Sequence, residues 1–273
     1  MVARCAGAAE VERIISLAPS VTETVFALGM GDRLVGVSVY CDYPPQAAKI
    51  DRVGNFLTPN MEAILAKRPD IIIAVPTPGN RGSVEALRGL GLRVLIVDPR
   101  TLAETEESLV VIGRAIGREA EGHALVARIE AGIAAVRGRL AGAPERRVLM
   151  VVGRTPLIAA GTGTFQDELI RMAHGKNLAA AAGGEWPHLS IEFAIAQAPE
   201  VIIDTTMGNE ERAGAQAQAA LDFWNAFPTM PAVQAHRVYG YKAYHLLRPG
   251  PRLAEAFEAI ARAIHPERFG AGR

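Results

Sequence analysis

The distribution of apolar residues along the chain predicts an alternation of buried strands and amphipathic helices. Short aliphatic runs, such as Ile71-Ile72-Ile73-Ala74-Val75, have the length of strands and are separated by segments with helical periodicity. Strands joined by single helices pair in parallel, so the pattern indicates a layered α/β fold. A helix is predicted to begin at Ser20, because Ser20 and Glu23 have the spacing of a capping box. The other elements predicted in this part of the chain are strands over 13–17, 33–37, 70–74 and 92–97 and helices over 61–68 and 83–90.

From about Leu102 the alternation stops. Helix-forming residues continue to Leu140, and the stretch over 118–141, which contains no strand pattern, has the length of a helix of roughly 36 Å. Gly142-Ala143-Pro144 ends it, and the alternation then resumes. The sequence therefore predicts an amino-terminal α/β lobe over 13–116, a linker helix over 117–142 and a carboxyl-terminal α/β lobe over 143–266. The elements predicted in the second lobe are strands over 147–152, 200–204 and 237–239 and helices over 165–173, 191–197 and 252–264.

An internal repeat supports this division into two lobes. Residues 60–73 align without a gap on residues 190–203, and each copy runs from a helix-capping residue through a short helix and a proline into an aliphatic strand. Glu62 and Glu192 occupy the same place in the two copies. Taken alone, a carboxylate at a helix start is explained by the helix dipole, which it stabilises by about 0.3–1 kcal/mol.

Composition and motifs exclude several classes of function. Lysine plus arginine and aspartate plus glutamate both number 29, so the chain lacks the basic excess of a nucleic-acid-binding protein. No nucleophile, base and orienting group share a motif, and the histidines lack metal-ligand spacing. The Gly161-Thr162-Gly163 turn predicts an ordinary helix start, with a nucleotide-binding α/β enzyme as the alternative. We therefore expect no catalytic residue, no metal site and no cofactor.

Two further features of the sequence, its apolar runs and its cysteines, concern export of the protein and its anchoring to a membrane. No apolar run approaches the roughly 20 residues needed to span a bilayer. Cys5 and Cys41 are too few for a disulfide framework, and lipidation of Cys5 and pairing of Cys5 with Cys41 both stay open.

The aromatic residues are concentrated in loop-like segments. Only 5% of the chain is aromatic, yet all five tyrosines fall in two short segments, and Phe56 and Trp186 also lie in predicted loops. Aromatic side chains outside a core suit a large, flat, partly apolar ligand. The alternative is that they pack loops onto the lobes, which is the interpretation favoured for Tyr43 before Pro44-Pro45. The tyrosines are Tyr40, Tyr43, Tyr239, Tyr241 and Tyr244.

Three segments, 13–23, 40–47 and 62–70, resemble the substrate-binding proteins of ABC importers for cobalamin, ferric siderophores and haem. The resemblance extends from about Arg13 to Ile264, and the Tyr-x-Asp-Tyr-Pro-Pro run and Trp186-Pro187 are most similar to the cobalamin-binding branch. It implies a helical-backbone (class III) periplasmic binding protein, in which one long helix joins two α/β lobes and the ligand lies in the cleft between them. It also implies a monomer that delivers its ligand to a dimeric membrane permease. The mature protein is expected in the periplasm or lipid-anchored outside the cytoplasmic membrane, with its signal segment not in the sequence given.

The same resemblance assigns roles to individual residues. Glu62 and Glu192 match the glutamates that dock onto permease arginines. A corrinoid is the implied transported ligand, and a haem or ferric siderophore, with Tyr40, Tyr244 or His245 as an iron ligand, is the alternative. Phe56 replaces a tryptophan of the branch, Tyr244 replaces an aspartate, and Ile158 stands where an aromatic residue is expected. The ligand-binding residues implied are Tyr40, Phe56, Trp186, Tyr244, His245 and Arg248.

Overall fold

Two parallel-type sheets organise the chain in the computed structural model, which describes residues 10–77, 79–206, 213–241 and 244–270. The chain separates into two compact units. Unit 1 comprises the residues up to Pro99 together with Ala103–Arg128, and unit 2 comprises Arg100–Leu102 together with the residues from Ile129 onward. The division falls inside one long helix, α5 (Glu119–Arg139), whose 21 residues correspond to about 31 Å. The lobe limits of 13–116 and 143–266 remain predictions.

Unit 1 contains a four-stranded parallel sheet with the strand order β2-β1-β3-β4. Its central strands consist almost entirely of buried aliphatic residues, as expected where helices cover both faces of a parallel sheet. The strands are β1 (Ile14–Ser16), β2 (Leu34–Val37), β3 (Ile71–Ala74) and β4 (Val94–Ile96), and the helices that begin in this part of the chain are α1 (Pro19–Ala27), α2 (Met61–Ala66), α3 (Arg81–Gly89) and α4 (Leu102–Ala115).

Unit 2 is built around β5 (Arg146–Arg154), the longest strand. β5 pairs in parallel with β7 and β8 and in antiparallel fashion with β6, and β9 extends the sheet beyond β8. The remaining strands are β6 (Leu157–Ala159), β7 (Gly175–Asn177), β8 (Val201–Asp204) and β9 (Val238–Gly240), and the helices are α6 (Phe165–Met172), α7 (Ile191–Ala196), α8 (Ala213–Asn225), α9 (Pro231–Gln234) and α10 (Leu253–Ile264).

The predicted α/β fold with a single long helix is confirmed, and each predicted strand lies within two residues of an observed one. The predicted start of α1 is wrong. The helix begins at Pro19, after Ala18, and no side chain caps it. Proline suits the first helical position because the N–H it lacks has no partner there, so Ser20 is buried in the first turn instead of capping it. Tyr239, which was grouped with the aromatic residues of loop-like segments, lies in β9, in agreement with the strand predicted over 237–239.

Cys41 is the cysteine that the described residues include. Cys41 is buried, and its Sγ lies 3.5 Å from Oγ of Ser38. Cys5 lies outside the described residues, so its lipidation and its pairing with Cys41 remain predictions. Within the described ranges, no helix has the length and apolar character needed to cross a membrane.

Candidate functional site

The two copies of the internal repeat begin with the same helix-capping geometry. The Oδ1 atom of Asn60 accepts a hydrogen bond from the backbone N–H of Ala63 at 3.0 Å, at the start of α2. The Oγ atom of Ser190 accepts the equivalent bond from Phe193 at 3.1 Å, at the start of α7. Each helix therefore starts from a fixed cap, and each presents an exposed glutamate, Glu62 or Glu192, in its first turn.

The two copies also end in the same way. Arg68 and Ala198 follow α2 and α7 at matching positions, and both adopt left-handed backbone, with φ of 44° and 49°. The Nε atom of Arg13 donates to the carbonyl of Lys67 at 2.7 Å, and that of Arg147 donates to the carbonyl of Ala198 at 2.9 Å. An arginine at the start of the first strand of each sheet thus holds the end of each glutamate-bearing helix.

An aromatic pair lies at the carboxyl edge of the unit 1 sheet. Tyr40 follows the end of β2, and its ring centroid is 5.5 Å from that of Phe56, at an interplanar angle of 58°. The tyrosine is 51% exposed, and the neighbouring Val39 and Leu57 are also exposed. Ligands of open α/β sheets bind outside the carboxyl ends of the strands, so this apolar surface is in the expected place for a binding site.

In unit 2, Trp186 lies on a segment that is fixed to the sheet on both sides of it. The N–H of Gly161 donates to the carbonyl of Glu185 at 2.8 Å, and the N–H of Ala159 donates to the carbonyl of Pro187 at 3.2 Å. The indole itself is 45% exposed. The backbone is therefore held while a large apolar side chain remains available to a ligand.

Gly161 is required by this close approach. A Cβ at this position would overlap the carbonyl oxygen of Gly184 and lie 2.8 Å from Cδ of Pro187. The turn is otherwise an ordinary helix start, because Oγ1 of Thr164 caps α6 through the N–H of Asp167 at 3.2 Å. The close approach explains the first glycine of the turn without a phosphate.

We expect Gly161→Ala to destabilise the protein by about 1–3 kcal/mol, since the added methyl group must displace the segment that carries Trp186. Gly138→Ala is the matched control. A Cβ at Gly138, inside α5, would meet no atom within 4 Å, so this change should raise stability by about 1 kcal/mol. Chemical denaturation of both variants checks the pair, and equal stabilities would contradict the steric explanation.

The third group of predicted residues follows β9, with Tyr244 and His245 on a 3₁₀ turn, Tyr244–Leu246, and Arg248 two residues after that turn. The guanidinium carbon of Arg248 is 4.5 Å from the ring centroid of Tyr244, a cation–π contact. Burial, and to a smaller extent the positive charge of Arg252, lowers the pKa of His245 to about 4. The imidazole of His245 is therefore neutral at pH 7 and retains a lone pair that could ligate a metal.

Two histidines make stability depend on pH. Burial is also the main cause that lowers the pKa of His265, at the end of α10, although its hydrogen bond to Glu267 opposes the shift. In the unfolded chain both His245 and His265 titrate near their ordinary pKa of about 6.5. As the pH falls below this value, the unfolded state binds protons that the folded state does not, so the free energy of unfolding should decrease. Urea denaturation between pH 7.5 and 5 should show this decrease. His265→Gln should make the free energy of unfolding depend less steeply on pH. A free energy of unfolding that does not change with pH would contradict the prediction.

The structure brings together some predicted site residues within each unit. Tyr40 contacts Phe56 in unit 1, and Tyr244 contacts Arg248 in unit 2. Tyr43, for which the sequence favoured a packing role, is 43% exposed. The aliphatic neighbours Val39 and Leu57 were missed, because an exposed aliphatic residue has no sequence pattern of its own. Among the described residues, no group of three or more histidine, cysteine, aspartate or glutamate side chains could hold a metal ion.

Comparison with known proteins identifies a consistent set of relatives. The family model described as periplasmic binding protein matches residues 14–245. The vitamin B12-binding protein of Vibrio cholerae is 32% identical over 250 residues, which cover 91% of this chain and 87% of that protein. An uncharacterised ABC transporter substrate-binding lipoprotein of Bacillus subtilis is 30% identical over 267 residues, which cover 95% of this chain and 82% of that protein.

Solved structures of proteins that are named for different ligands share this fold. The periplasmic vitamin B12-binding protein of Vibrio cholerae superposes with a TM-score of 0.80 at 32% identity, covering 95% of this chain and 98% of that one. A periplasmic haem-binding protein of Roseiflexus superposes with a TM-score of 0.82 at 28% identity, covering 94% and 99%. These matches confirm the class III fold predicted from the sequence, and they include binders of two different tetrapyrroles.

Proposed function

Since the chain belongs to the periplasmic binding protein family and is an ABC transporter substrate-binding protein, we propose that its ligand is cobalamin or a related corrinoid. It captures the corrinoid outside the cytoplasmic membrane and delivers it to the permease of an importer. The family alone does not choose the ligand, because its members include proteins named for vitamin B12 and for haem.

The observation that carries the corrinoid assignment is the exposure of large aromatic side chains at the two sheets. Tyr40 and Phe56 form a tilted pair beside exposed Val39 and Leu57 in unit 1, and Trp186 is exposed in unit 2. A corrin ring is broad and flat, with largely apolar faces. Aromatic and aliphatic side chains bury such a face with little loss of side-chain entropy, because an aromatic residue has only two side-chain torsions.

Delivery is assigned to Glu62 and Glu192. Each is exposed in the first turn of a short helix that is capped at its start and held by an arginine at its end. Two equivalent carboxylates suit a permease with two-fold symmetry, which presents the same cationic surface twice. We therefore propose that these carboxylates pair with arginines of the permease and do not contact the ligand.

Haem is the second candidate, and two observations favour it over a siderophore. His245 is neutral at pH 7, as an iron ligand must be, and the phenol of Tyr40 is exposed. A haem protein of this kind would shift the Soret band of haemin on binding. Tyr40→Phe or His245→Gln would then remove that shift, whereas a corrinoid-binding protein needs no protein ligand to the metal.

Thermal denaturation with added ligand tests the proposal. A ligand that binds only the folded protein stabilises it by about 2.7 kcal/mol at one hundred times its dissociation constant. We expect cyanocobalamin or cobinamide to raise the melting temperature. ATP, added as a control for the nucleotide-enzyme alternative, should leave it unchanged. Stabilisation by ATP alone would contradict the assignment. A melting temperature that neither corrinoid raises would also contradict it.

A further inference from the structure

Asn80 is a buried amide that connects two loops of unit 1. The residue is only 2% exposed, and its side chain makes three hydrogen bonds to backbone groups. Its Nδ2 atom donates to the carbonyl of Phe56 at 3.0 Å and to the carbonyl of Val75 at 2.9 Å. Its Oδ1 atom accepts from the N–H of Thr77 at 2.8 Å.

These bonds attach the tip of the Phe56 loop to the sheet. Val75 follows the last residue of β3, a central and fully buried strand, so its carbonyl is a rigid anchor point. The other side-chain bonds near the tip are local. Oδ1 of Asn55 accepts from the N–H of Leu57 at 2.8 Å and from that of Thr58 at 2.7 Å, which shapes the loop without attaching it to the sheet.

We infer that Asn80 is a positioning residue for ligand recognition, which holds the Phe56 loop where the Phe56 ring meets Tyr40 and the ligand. This inference rests on the proposed function, because it assigns the aromatic pair to ligand binding. It explains why a residue directly before α3 does not cap that helix. The amide is committed to the loop instead, and a loop without it would lose its connection to β3.

The substitution Asn80→Asp isolates the two donated bonds. It preserves the size of the side chain and the acceptor for Thr77, but it places a carboxylate oxygen against the two carbonyls that received N–H groups. Asn80→Ala removes all three bonds and is the second variant if the first does not fold. The matched control is Thr24→Val in α1 of unit 1. Thr24 is also 2% exposed, and its Oγ1 donates to the carbonyl of Ser20 at 2.8 Å, so the change removes one buried hydrogen bond within α1.

Two measurements on the intact protein test the inference. In the ligand-free protein, amide hydrogen exchange in the peptide over 55–59 should be faster in both Asn80 variants and unchanged in Thr24→Val. By calorimetry, both Asn80 variants should bind cyanocobalamin about ten-fold or more weakly, whereas the control should bind it as the wild type does. In a Phe56→Ala background, Asn80→Ala should cause little further loss of affinity, because the two residues act through one ring.

Unchanged exchange in the 55–59 peptide would overturn the inference. So would faster exchange with unchanged affinity, or an equal loss of affinity in Thr24→Val. If the wild-type protein gave no heat with either cyanocobalamin or cobinamide, the corrinoid assignment would fail, and the exchange of the ligand-free protein would still decide whether Asn80 holds the loop.

Discussion

Replacement of both Glu62 and Glu192 by alanine is expected to abolish transport while leaving folding and ligand affinity unchanged. Both glutamates are exposed, so their loss should cost less than about 1 kcal/mol of stability each, mainly through the helix dipole. The loss of binding free energy at an interface with the permease should be larger, because each lost carboxylate would leave an arginine desolvated and unpaired. Such losses typically cost about 2–5 kcal/mol per pair.

Stimulation of the transporter's ATPase and uptake of labelled corrinoid measure this effect. The double variant Glu130→Ala with Glu145→Ala is the matched control, because it removes two exposed carboxylates outside the repeat. Charge reversal of Glu62 and Glu192 to lysine should be more damaging than alanine, since it sets like charges against each other. Normal transport by the double alanine variant, or a loss of ligand affinity in it, would contradict the docking role and leave the dipole explanation.

Trp186→Ala should weaken corrinoid binding by about 1–3 kcal/mol, the usual cost of truncating a large aromatic anchor. The chain has two tryptophans, and they differ sharply in environment. Trp186 is 45% exposed, whereas Trp224 is fully buried and its Nε1 donates to Oδ2 of Asp204 at 2.8 Å. Intrinsic fluorescence therefore separates a surface tryptophan from a core one.

Titration with cyanocobalamin should quench the exposed tryptophan strongly because the ligand stacks on it. Trp186→Phe should retain most of the affinity and lose that part of the quenching, while the emission of Trp224 remains and reports that the fold is intact. If Trp186→Phe and the wild type were quenched equally, Trp186 would not contact the ligand.

The strands of both sheets other than β6 and β7 could be predicted from sequence for a simple physical reason. Parallel strands covered by helices are apolar on both faces, so β3 is an unbroken aliphatic run and β8 has three aliphatic residues before Asp204. β7 could not be predicted in this way. Its sequence, Gly175-Lys176-Asn177, has no apolar pattern, and it becomes a strand because the amino-terminal half of β5 offers an unpaired edge. Only the tertiary pairing defines it.

In the candidate site too, residues with a local sequence pattern could be predicted, and residues whose role depends on tertiary contacts could not. The glutamates could be placed because the repeat fixes their position relative to a cap and a proline, and the structure extends that equivalence to Arg13 and Arg147. Asn80 could not be identified from sequence. An asparagine before a helix has the pattern of a cap, and only the tertiary structure directs its amide to Phe56.

The most direct test of corrinoid capture is a side-by-side spectral titration of the ligand-free protein with cyanocobalamin, cobinamide, haemin and a ferric hydroxamate. We expect one of the two corrinoids to saturate the protein at one equivalent and to resist displacement by haemin. We also expect haemin to show no Soret shift that depends on Tyr40, Tyr244 or His245. Saturation by haemin with a Soret shift that is lost in one of these variants, together with no binding of either corrinoid, would contradict corrinoid capture and identify a haem-binding protein.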